Sequence, residues 1–234
     1  MDVLTMGFLT SEMIHKSHYN NECQNFIVYG PLGYGKTSFA LQVLMELYNT
    51  EDPDILSKYF FFDPAEFLAK VTRFKEQVPA VAWDDAGVWL YYMDYQSSLL
   101  KNVSKLMQLI RTRTAAVLFT TPTPSLVFGK LRNFPQTITL KVSKVSGHLH
   151  ERNLRRVTAY RSWMMPDLQK LRVKKLFVDD YSCMLPNDLF KWYSEQRRGY
   201  IEQVEEKLQS ELPESLQDQI KADNLLQNLS LIHI

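Results

Sequence analysis

Cysteines and long apolar runs are scarce in this chain of 234 residues. Its only cysteines, Cys23 and Cys183, exclude a disulfide framework and a four-cysteine zinc site. No apolar run approaches the roughly 18 residues that a membrane-spanning helix needs. The first residues also lack the basic and then apolar order of a secretory signal. We therefore expect an intracellular, cytoplasmic protein that has no membrane partner.

An excess of one charge is also lacking. The chain has 27 Lys and Arg against 26 Asp and Glu, a formal net charge of +1. This balance excludes a uniformly basic nucleic-acid coat and an acidic disordered chain. With 45% hydrophobic residues, the composition is that of a globular protein with one core and at most a small appendage.

Short apolar runs alternate with helical patterns, which indicates an α/β fold with a parallel sheet covered on both faces. The predicted strands are 26–29, 58–63, 78–83, 115–121 and 137–145, and the predicted helices between them are 38–48, 64–75 and 97–111. The segments that follow are two strands that could form a β-hairpin, 155–163 and 171–181, and two helices, 188–210 and 214–229. We predict a core over residues 1–145 and a β-hairpin and helical C-terminal extension over 146–234, partly continuous with the core.

A glycine-rich stretch joins the first predicted strand to the helix after it. Residues 30–37 read Gly-Pro-Leu-Gly-Tyr-Gly-Lys-Thr and match the pattern G-x-x-x-x-G-K-[ST] at every fixed position. The glycines let backbone N–H groups turn toward phosphate oxygens at a helix N-terminus. Lys36 can reach the terminal phosphates, and the Thr37 hydroxyl can bind Mg²⁺. The predicted nucleotide-binding residues are Gly30, Pro31, Leu32, Gly33, Tyr34, Gly35, Lys36, Thr37 and Ser38.

Two acids, Asp84 and Asp85, follow the third predicted strand. A phosphate loop of this kind needs a carboxylate at the end of a neighbouring strand, so we expect Asp84 to hold Mg²⁺ through water. Asp85 is then placed to polarise the attacking water as the catalytic base. The alternative is that both acids cap the next segment. Because no Asn-Lys-x-Asp motif for guanine is present, the sequence predicts an ATPase that uses ATP and Mg²⁺.

Polar and basic residues near the fourth strand are further catalytic candidates. Thr120 and Thr121 end that strand, where a hydroxyl would lie beside the γ-phosphate; we assign the role to Thr121, although the sequence does not separate the two. An arginine directed at a neighbouring subunit's γ-phosphate would stabilise transition-state charge. Arg111, Arg113 and Arg132 are the candidates, although each of them taken singly is better explained as a solvated or helix-terminal charge.

These motifs resemble those of the additional-strand P-loop ATPases, whose nearest groups are the AAA+ proteins and the DNA-translocase ATPases. The resemblance is carried by GPLGYGKT, VAWDDAG and LFTTPTPSLVFGKLRNFPQTITL, over about residues 26–145. The combination is similar to small ATPases of archaeal viruses and plasmids, some described as replication-initiator-like. The resemblance implies that Arg132 is the arginine finger and that the protein is a homo-oligomer with nucleotide between subunits. For a viral protein, the location would be the host cell cytoplasm.

The chain departs from these relatives at two places. Most of them have Glu where this sequence has Asp85, whose side chain is one methylene shorter. AAA+ proteins also continue after the fifth strand with a helical lid that carries an arginine, whereas strand-like segments come first here. The second departure leaves the DNA-translocase group open.

The near-neutral charge hides a strongly basic segment. Residues 141–175 contain ten Lys and Arg but only Glu151 and Asp167, a net charge of +8 that leaves −7 for the rest of the chain. Tyr160 and Trp163 interleave, and such rings can stack on bases while the cations neutralise phosphates. The alternative is a solvated β-hairpin face.

We predict DNA as a partner on residues 141–175 and a DNA-associated motor or replication-initiator-like ATPase as the function. We expect DNA affinity to fall when Arg155, Arg156, Lys174 and Lys175 are neutralised. The alternative is a nucleotide-dependent switch or assembly factor that acts on a protein partner through the C-terminal helices. A phosphotransferase is less favoured, because no arginine-rich lid segment is evident.

Overall fold

The computed structural model describes residues 7–90, 98–127, 129–134, 137–145, 152–165 and 170–210. The strands are β1 Gln24–Tyr29, β2 Phe60–Phe61, β3 Val81–Trp83, β4 Ala116–Thr121, β5 Ile138–Lys144, β6 Leu154–Met165 and β7 Lys170–Ser182. The helices are α1 Leu9–Tyr19, α2 Lys36–Tyr48, α3 Pro53–Leu56, α4 Pro64–Val71, α5 Ala86–Trp89, α6 Ser98–Leu109, α7 Gly129–Arg132 and α8 Asn187–Ser210. The chain divides into two compact units, Met1–Phe190, which contains the sheet, and Lys191–Ile234, of which the structure describes the part of α8 up to Ser210.

The seven strands form one mostly parallel sheet in the order β2-β3-β4-β1-β5-β6-β7. Strands β1 to β5 run parallel, whereas β6 and β7 form an antiparallel hairpin that pairs with β5 and extends the same sheet. Strand β4 is inserted between β1 and β3. The predicted fold class is confirmed. Because the carboxyl ends of parallel strands share one edge, the segments that follow β1, β3 and β4 meet there.

Aromatic packing fixes the strand that leads to the acidic pair. Trp83, at the end of β3, is fully buried, and its indole N–H donates to the Phe62 carbonyl at 3.0 Å. Its ring stacks on Phe67 of α4 at a centroid distance of 4.8 Å, and Phe67 in turn meets Phe61 edge-on at 5.7 Å. Such aromatic contacts add to the free energy of burial. The end of β3 is therefore held rigidly against α4 and β2.

Helix α4 begins where the sequence predicts. The Asp63 carboxylate accepts hydrogen bonds from the backbone N–H groups of Ala65 and Glu66, at 2.8 and 2.9 Å, and Pro64 occupies the first helical position. A carboxylate at this position satisfies two of the N–H groups that a helix start leaves unpaired. The helix ends at Val71, four residues before the predicted end at Lys75.

Helix α1 is an element that the sequence did not predict. Its buried residues are Thr10, Ser11, Ile14 and Ser17, so that its inner face lacks the apolar periodicity that marks an amphipathic helix. Instead Asp179 of β7 accepts hydrogen bonds from the Leu9 N–H, the Thr10 N–H and the Thr10 hydroxyl, at 2.8, 3.1 and 2.6 Å. The helix start is thus capped by a residue far away in the sequence.

The C-terminal part of the chain is described through α8. This helix, Asn187–Ser210, agrees with the predicted helix 188–210. The predicted final helix, 214–229, lies outside the described residues. Among the helices that the structure describes, none has the length and apolar character to cross a membrane.

Candidate nucleotide site

The glycine-rich loop lies between the end of β1 and the start of α2. Gly33 and Gly35 have φ angles of 74° and 85°, in the left-handed region that side chains other than glycine disfavour. The Lys36 ammonium donates to the carbonyls of Gly30 and Pro31 at 3.0 and 3.1 Å, and the residue is only 7% exposed. The Lys36 side chain therefore reaches back along the loop to its first two residues.

The other predicted loop residues differ in exposure. Leu32 is exposed, whereas Tyr34, Thr37 and Ser38 are half-buried. The Lys144 ammonium of β5 lies 4.9 Å from the centre of the Tyr34 ring, a cation–π contact between the loop and the sheet.

Thr37 and the two acids meet at the carboxyl edge of the sheet. Asp84 is fully buried, and its Oδ1 accepts hydrogen bonds from the hydroxyls of Thr37 at 2.8 Å and Thr120 at 2.5 Å. The Asp85 N–H donates to the Thr120 hydroxyl at 2.9 Å. The network joins α2, the end of β3 and the end of β4. Hydroxyl and carboxylate oxygens are the ligands that Mg²⁺ prefers, so Thr37 and Asp84 fit the cation that the sequence predicts there.

The structure separates the two threonines that the sequence could not. Thr120 reaches the acidic pair, whereas the Thr121 hydroxyl donates to the Thr123 carbonyl at 3.0 Å. Successive side chains of a strand point to opposite faces. Thr121 instead lies against α5, where a β-carbon on Gly87 would come within 2.5 Å of its hydroxyl oxygen. The structure thus brings Thr120, and not Thr121, to Asp84.

Asp85 has an unusual backbone conformation. Its φ of 47° lies in the left-handed region, which Asp and Asn tolerate better than other residues with side chains. This gives a physical reason for Asp rather than Glu at this position. Although Asp85 immediately precedes α5, its side chain makes no capping hydrogen bond to that helix. Capping of the next segment is therefore not what its carboxylate does.

The three candidate arginines have different surroundings. Arg111 and Arg113 precede β4, at the opposite edge of the parallel sheet, and the Arg113 guanidinium donates to the Phe74 carbonyl. Arg132 ends α7 and is half-buried. Within the part of the chain that the structure describes, no hydrogen bond or ion pair joins any of the three to the loop.

The start of β6 and the end of β7 contact the loop directly; we call this end of the two strands the base of the hairpin. The Tyr181 hydroxyl donates to the Gly35 carbonyl at 2.8 Å, and burial raises the pKa of Tyr181. Arg155, which faces Tyr181 across the two strands, is only 7% exposed. Sequence reasoning missed Tyr181, because no local pattern reports a contact across 146 positions.

The basic segment separates into two parts. Near the loop, Arg155 is buried, and Arg156 forms a bidentate pair with Asp180 at 2.7 Å, which raises the pKa of Arg156 and lowers that of Asp180. Farther along the hairpin, Arg172, Lys174 and Lys175 are exposed and Arg161 is half-buried. The apolar side chains there are also exposed, Trp163 to 47% and Val173 to 59%. We call residues 160–163 and 172–175 the distal hairpin; its cations are Arg161, Arg172, Lys174 and Lys175.

The sheet order, the glycine loop that leads into α2, and the Thr37–Asp84 contact together define the fold of the P-loop NTPases. No family model matches the chain. It is similar to the uncharacterized protein B-251 of Sulfolobus spindle-shape virus 1, with 28% identity over 240 residues, 90% of this chain and 86% of that protein. It also resembles the uncharacterized protein ORF286 of Acidianus two-tailed virus, with 28% identity over 142 residues, 57% of this chain and 48% of that protein. These relatives come from viruses of archaea.

Among solved structures, the chain is similar to the N-terminal domain of zonular occludens toxin from Neisseria meningitidis. That domain shares 12% identity with this chain, with a TM-score of 0.41, and the match covers 73% of this chain and 98% of that domain.

Proposed function

We propose that this chain is a Mg²⁺-dependent ATPase of the additional-strand division that acts on DNA. The observation that carries the proposal is the network of Thr37, Asp84 and Thr120, which connects the phosphate loop to the ends of β3 and β4. The insertion of β4 between β1 and β3 supports the assignment to this division. ATP, rather than GTP, is supported by the lack of a guanine-specific motif.

Each residue at the sheet edge has a role in the proposed reaction. Lys36 and the loop N–H groups bind the phosphates. Thr37 and Asp84 would hold Mg²⁺, which neutralises phosphate charge when it is bound. Asp85 orients and polarises the attacking water. The Thr120 hydroxyl, which donates to Asp84, would lie beside the γ-phosphate. Thr120 therefore takes the role that the sequence assigned to Thr121.

The proposed DNA-binding surface is the distal hairpin rather than all of residues 141–175. Lys174 and Lys175 are exposed and can neutralise phosphates. Trp163 offers a ring for base stacking. Arg156 is already paired with Asp180, and Arg155 is buried beside the loop, so neither is suited to bind DNA. Lys174 and Lys175 are the better residues to neutralise, because both are exposed.

The protein is proposed to act as a homo-oligomer in the host cell cytoplasm. Arg132 is only half-buried and, among the described residues, makes no hydrogen bond or ion pair within its own chain. It is therefore available to the nucleotide of a neighbouring subunit as an arginine finger. The two archaeal-virus relatives support the viral setting.

Steady-state ATP turnover with and without single- and double-stranded DNA tests the proposal. We expect DNA to stimulate turnover, and both Lys36→Ala and Asp85→Asn to abolish it. Because Asn tolerates the left-handed backbone of residue 85, Asp85→Asn should retain nucleotide binding while turnover falls roughly 10²–10⁴-fold. Turnover that persists in Asp85→Asn would contradict the assignment of the base. DNA-independent turnover would instead favour a switch or assembly factor that acts on a protein partner.

A further inference from the structure

The β6–β7 hairpin forms a hydrogen bond with the phosphate loop at the peptide group that follows Gly35. The Tyr181 hydroxyl donates to the Gly35 carbonyl at 2.8 Å. That carbonyl belongs to the same planar peptide unit as the N–H of Lys36. Lys36 begins α2, so this N–H is one of the donors that the helix start presents to phosphate. The Gly35 carbonyl also accepts the Phe39 N–H at 3.0 Å. Tyr181 therefore adds a second hydrogen bond that holds this peptide unit, whose N–H would point toward a bound phosphate.

Close packing reinforces this contact. A β-carbon on Gly35 would lie 2.9 Å from Cβ of Cys183 and 3.2 Å from the Tyr181 hydroxyl, with Cγ of Arg155 at 3.8 Å. The Gln42 amide, one turn into α2, donates to the carbonyls of Ser182 and Met184 at 2.6 and 3.0 Å. The base of the hairpin thus contacts both the loop and the first turns of α2. We expect a shift of either strand to displace the loop.

The same two strands continue to the distal hairpin. Their pairing runs from Arg155 opposite Tyr181 to Trp163 opposite Arg172, with one irregularity between Thr158 and Tyr160. At about 3.3 Å per residue this ladder spans roughly 25 Å. Beyond Arg161, β6 has no described pairing with β5, so the hairpin reaches past the core sheet there. One hydrogen-bonded unit therefore joins the loop to the exposed cations.

We propose that the hairpin couples the two sites, with Tyr181 as the positioning residue that transmits DNA binding at the distal hairpin to the phosphate loop. The inference rests on the proposed function. Thermodynamic reciprocity requires that, if bound DNA changes nucleotide affinity by some factor, nucleotide changes DNA affinity by the same factor. Within this connection, the hydrogen bond between Tyr181 and Gly35 can be abolished by removing one atom, the Tyr181 hydroxyl oxygen.

The test compares Tyr181→Phe with Tyr48→Phe. Tyr181→Phe removes the hydroxyl and leaves a ring to pack on Phe39, whose centroid is 5.1 Å away. Tyr48→Phe removes a similarly buried hydroxyl that donates to a backbone carbonyl, that of Ala80 at 2.7 Å, but Ala80 lies next to the start of β3, away from the loop. The two variants thus lose the same chemical group in the same kind of bond.

The measurement is the dissociation constant of a fluorescent non-hydrolysable ATP analogue with Mg²⁺, with and without a saturating DNA oligonucleotide. The DNA dissociation constant is measured with and without the analogue. We expect the wild type and Tyr48→Phe to show equal coupling factors in both directions. We expect Tyr181→Phe to bind the analogue roughly 3–10-fold more weakly and to lose the coupling while it still binds DNA.

The outcomes separate the inference from the proposed function. Coupling that is intact in Tyr181→Phe, or lost equally in Tyr48→Phe, would overturn the inference alone. A wild type that binds both ligands without coupling would do the same. A wild type that binds no DNA at low salt would overturn the DNA-related part of the proposed function together with the inference.

Discussion

Two adjacent threonines at the end of β4 have different partners, and this difference is the sharpest result at the scale of the residue. Thr120 donates to the buried Asp84 carboxylate, and Thr121 donates to a backbone carbonyl beside α5. The sequence predicted that a hydroxyl there would reach the site but could not choose between them. The choice depends on which face of the sheet carries the Asp84 side chain, and the composition of β4 alone does not contain that information. Both residues are fully buried.

Substitution by valine, which keeps the shape of threonine, distinguishes the two. Thr120→Val removes a hydrogen bond to a carboxylate, so we expect ATP turnover to fall roughly 10–100-fold. Thr121→Val removes a hydrogen bond outside the network and should reduce stability while turnover stays near that of the wild type. Turnover and urea unfolding, measured on both variants, check this. A larger loss of turnover in Thr121→Val would return the assignment to Thr121.

At the scale of the element, the sequence predicts those parts whose signal is local. The glycine pattern, the alternation of apolar runs and the Asp63 cap all lie within a few residues of what they specify. Helix α1 differs, because its start is capped by Asp179 and its inner face is polar. Likewise, nothing near Tyr181 in the sequence indicates that its hydroxyl meets Gly35. These features depend on contacts that only the completed sheet brings together.

The capping of α1 by β7 leads to a prediction about stability. Asp179→Asn would present an amide donor toward N–H groups that now donate to the carboxylate, so we expect a loss of about 2–4 kcal/mol in the free energy of unfolding. Asp180→Asn is the matched control, because this neighbouring carboxylate is exposed and its ion pair among the described residues is with Arg156 on the surface. Urea unfolding should show a much smaller loss for the control. Equal losses in the two variants would show that Asp179 does not hold α1.

At the scale of the whole molecule, one thiol and two phenol groups, those of Cys23, Tyr48 and Tyr181, change the free energy of unfolding with pH in the same direction. Burial raises the pKa of Cys23 from 9.0 to about 12, and it also raises the pKa values of Tyr48 and Tyr181. These groups stay neutral in the folded protein while their unfolded counterparts ionise. Above about pH 9 the unfolded state therefore binds fewer protons than the native state.

The free energy of unfolding should consequently decrease as pH rises from about 9 toward 12, whereas these groups contribute no change below pH 8. Urea unfolding at pH 8 and pH 10.5 measures this effect. Because Tyr48→Phe removes one of the contributing groups, the decrease should be smaller in that variant. Stability that is constant or rising over this interval would mean that these side chains are not shielded from water in the folded state.

The distribution of charge over the whole molecule leads to the central claim, that DNA on the distal hairpin stimulates ATP hydrolysis at the loop. The most direct measurement is DNA-stimulated ATP turnover, as a function of salt, in the variant Lys174→Gln/Lys175→Gln. The control, Lys16→Gln/Lys58→Gln, removes the same charge from two exposed lysines elsewhere.

The distal variant should need more DNA than the wild type for half-maximal stimulation. The slope of log affinity against log salt should fall by roughly 1.4–1.8 for two lost phosphate contacts, whereas the control behaves like the wild type. DNA stimulation that is identical in the distal variant, the control and the wild type would contradict the claim.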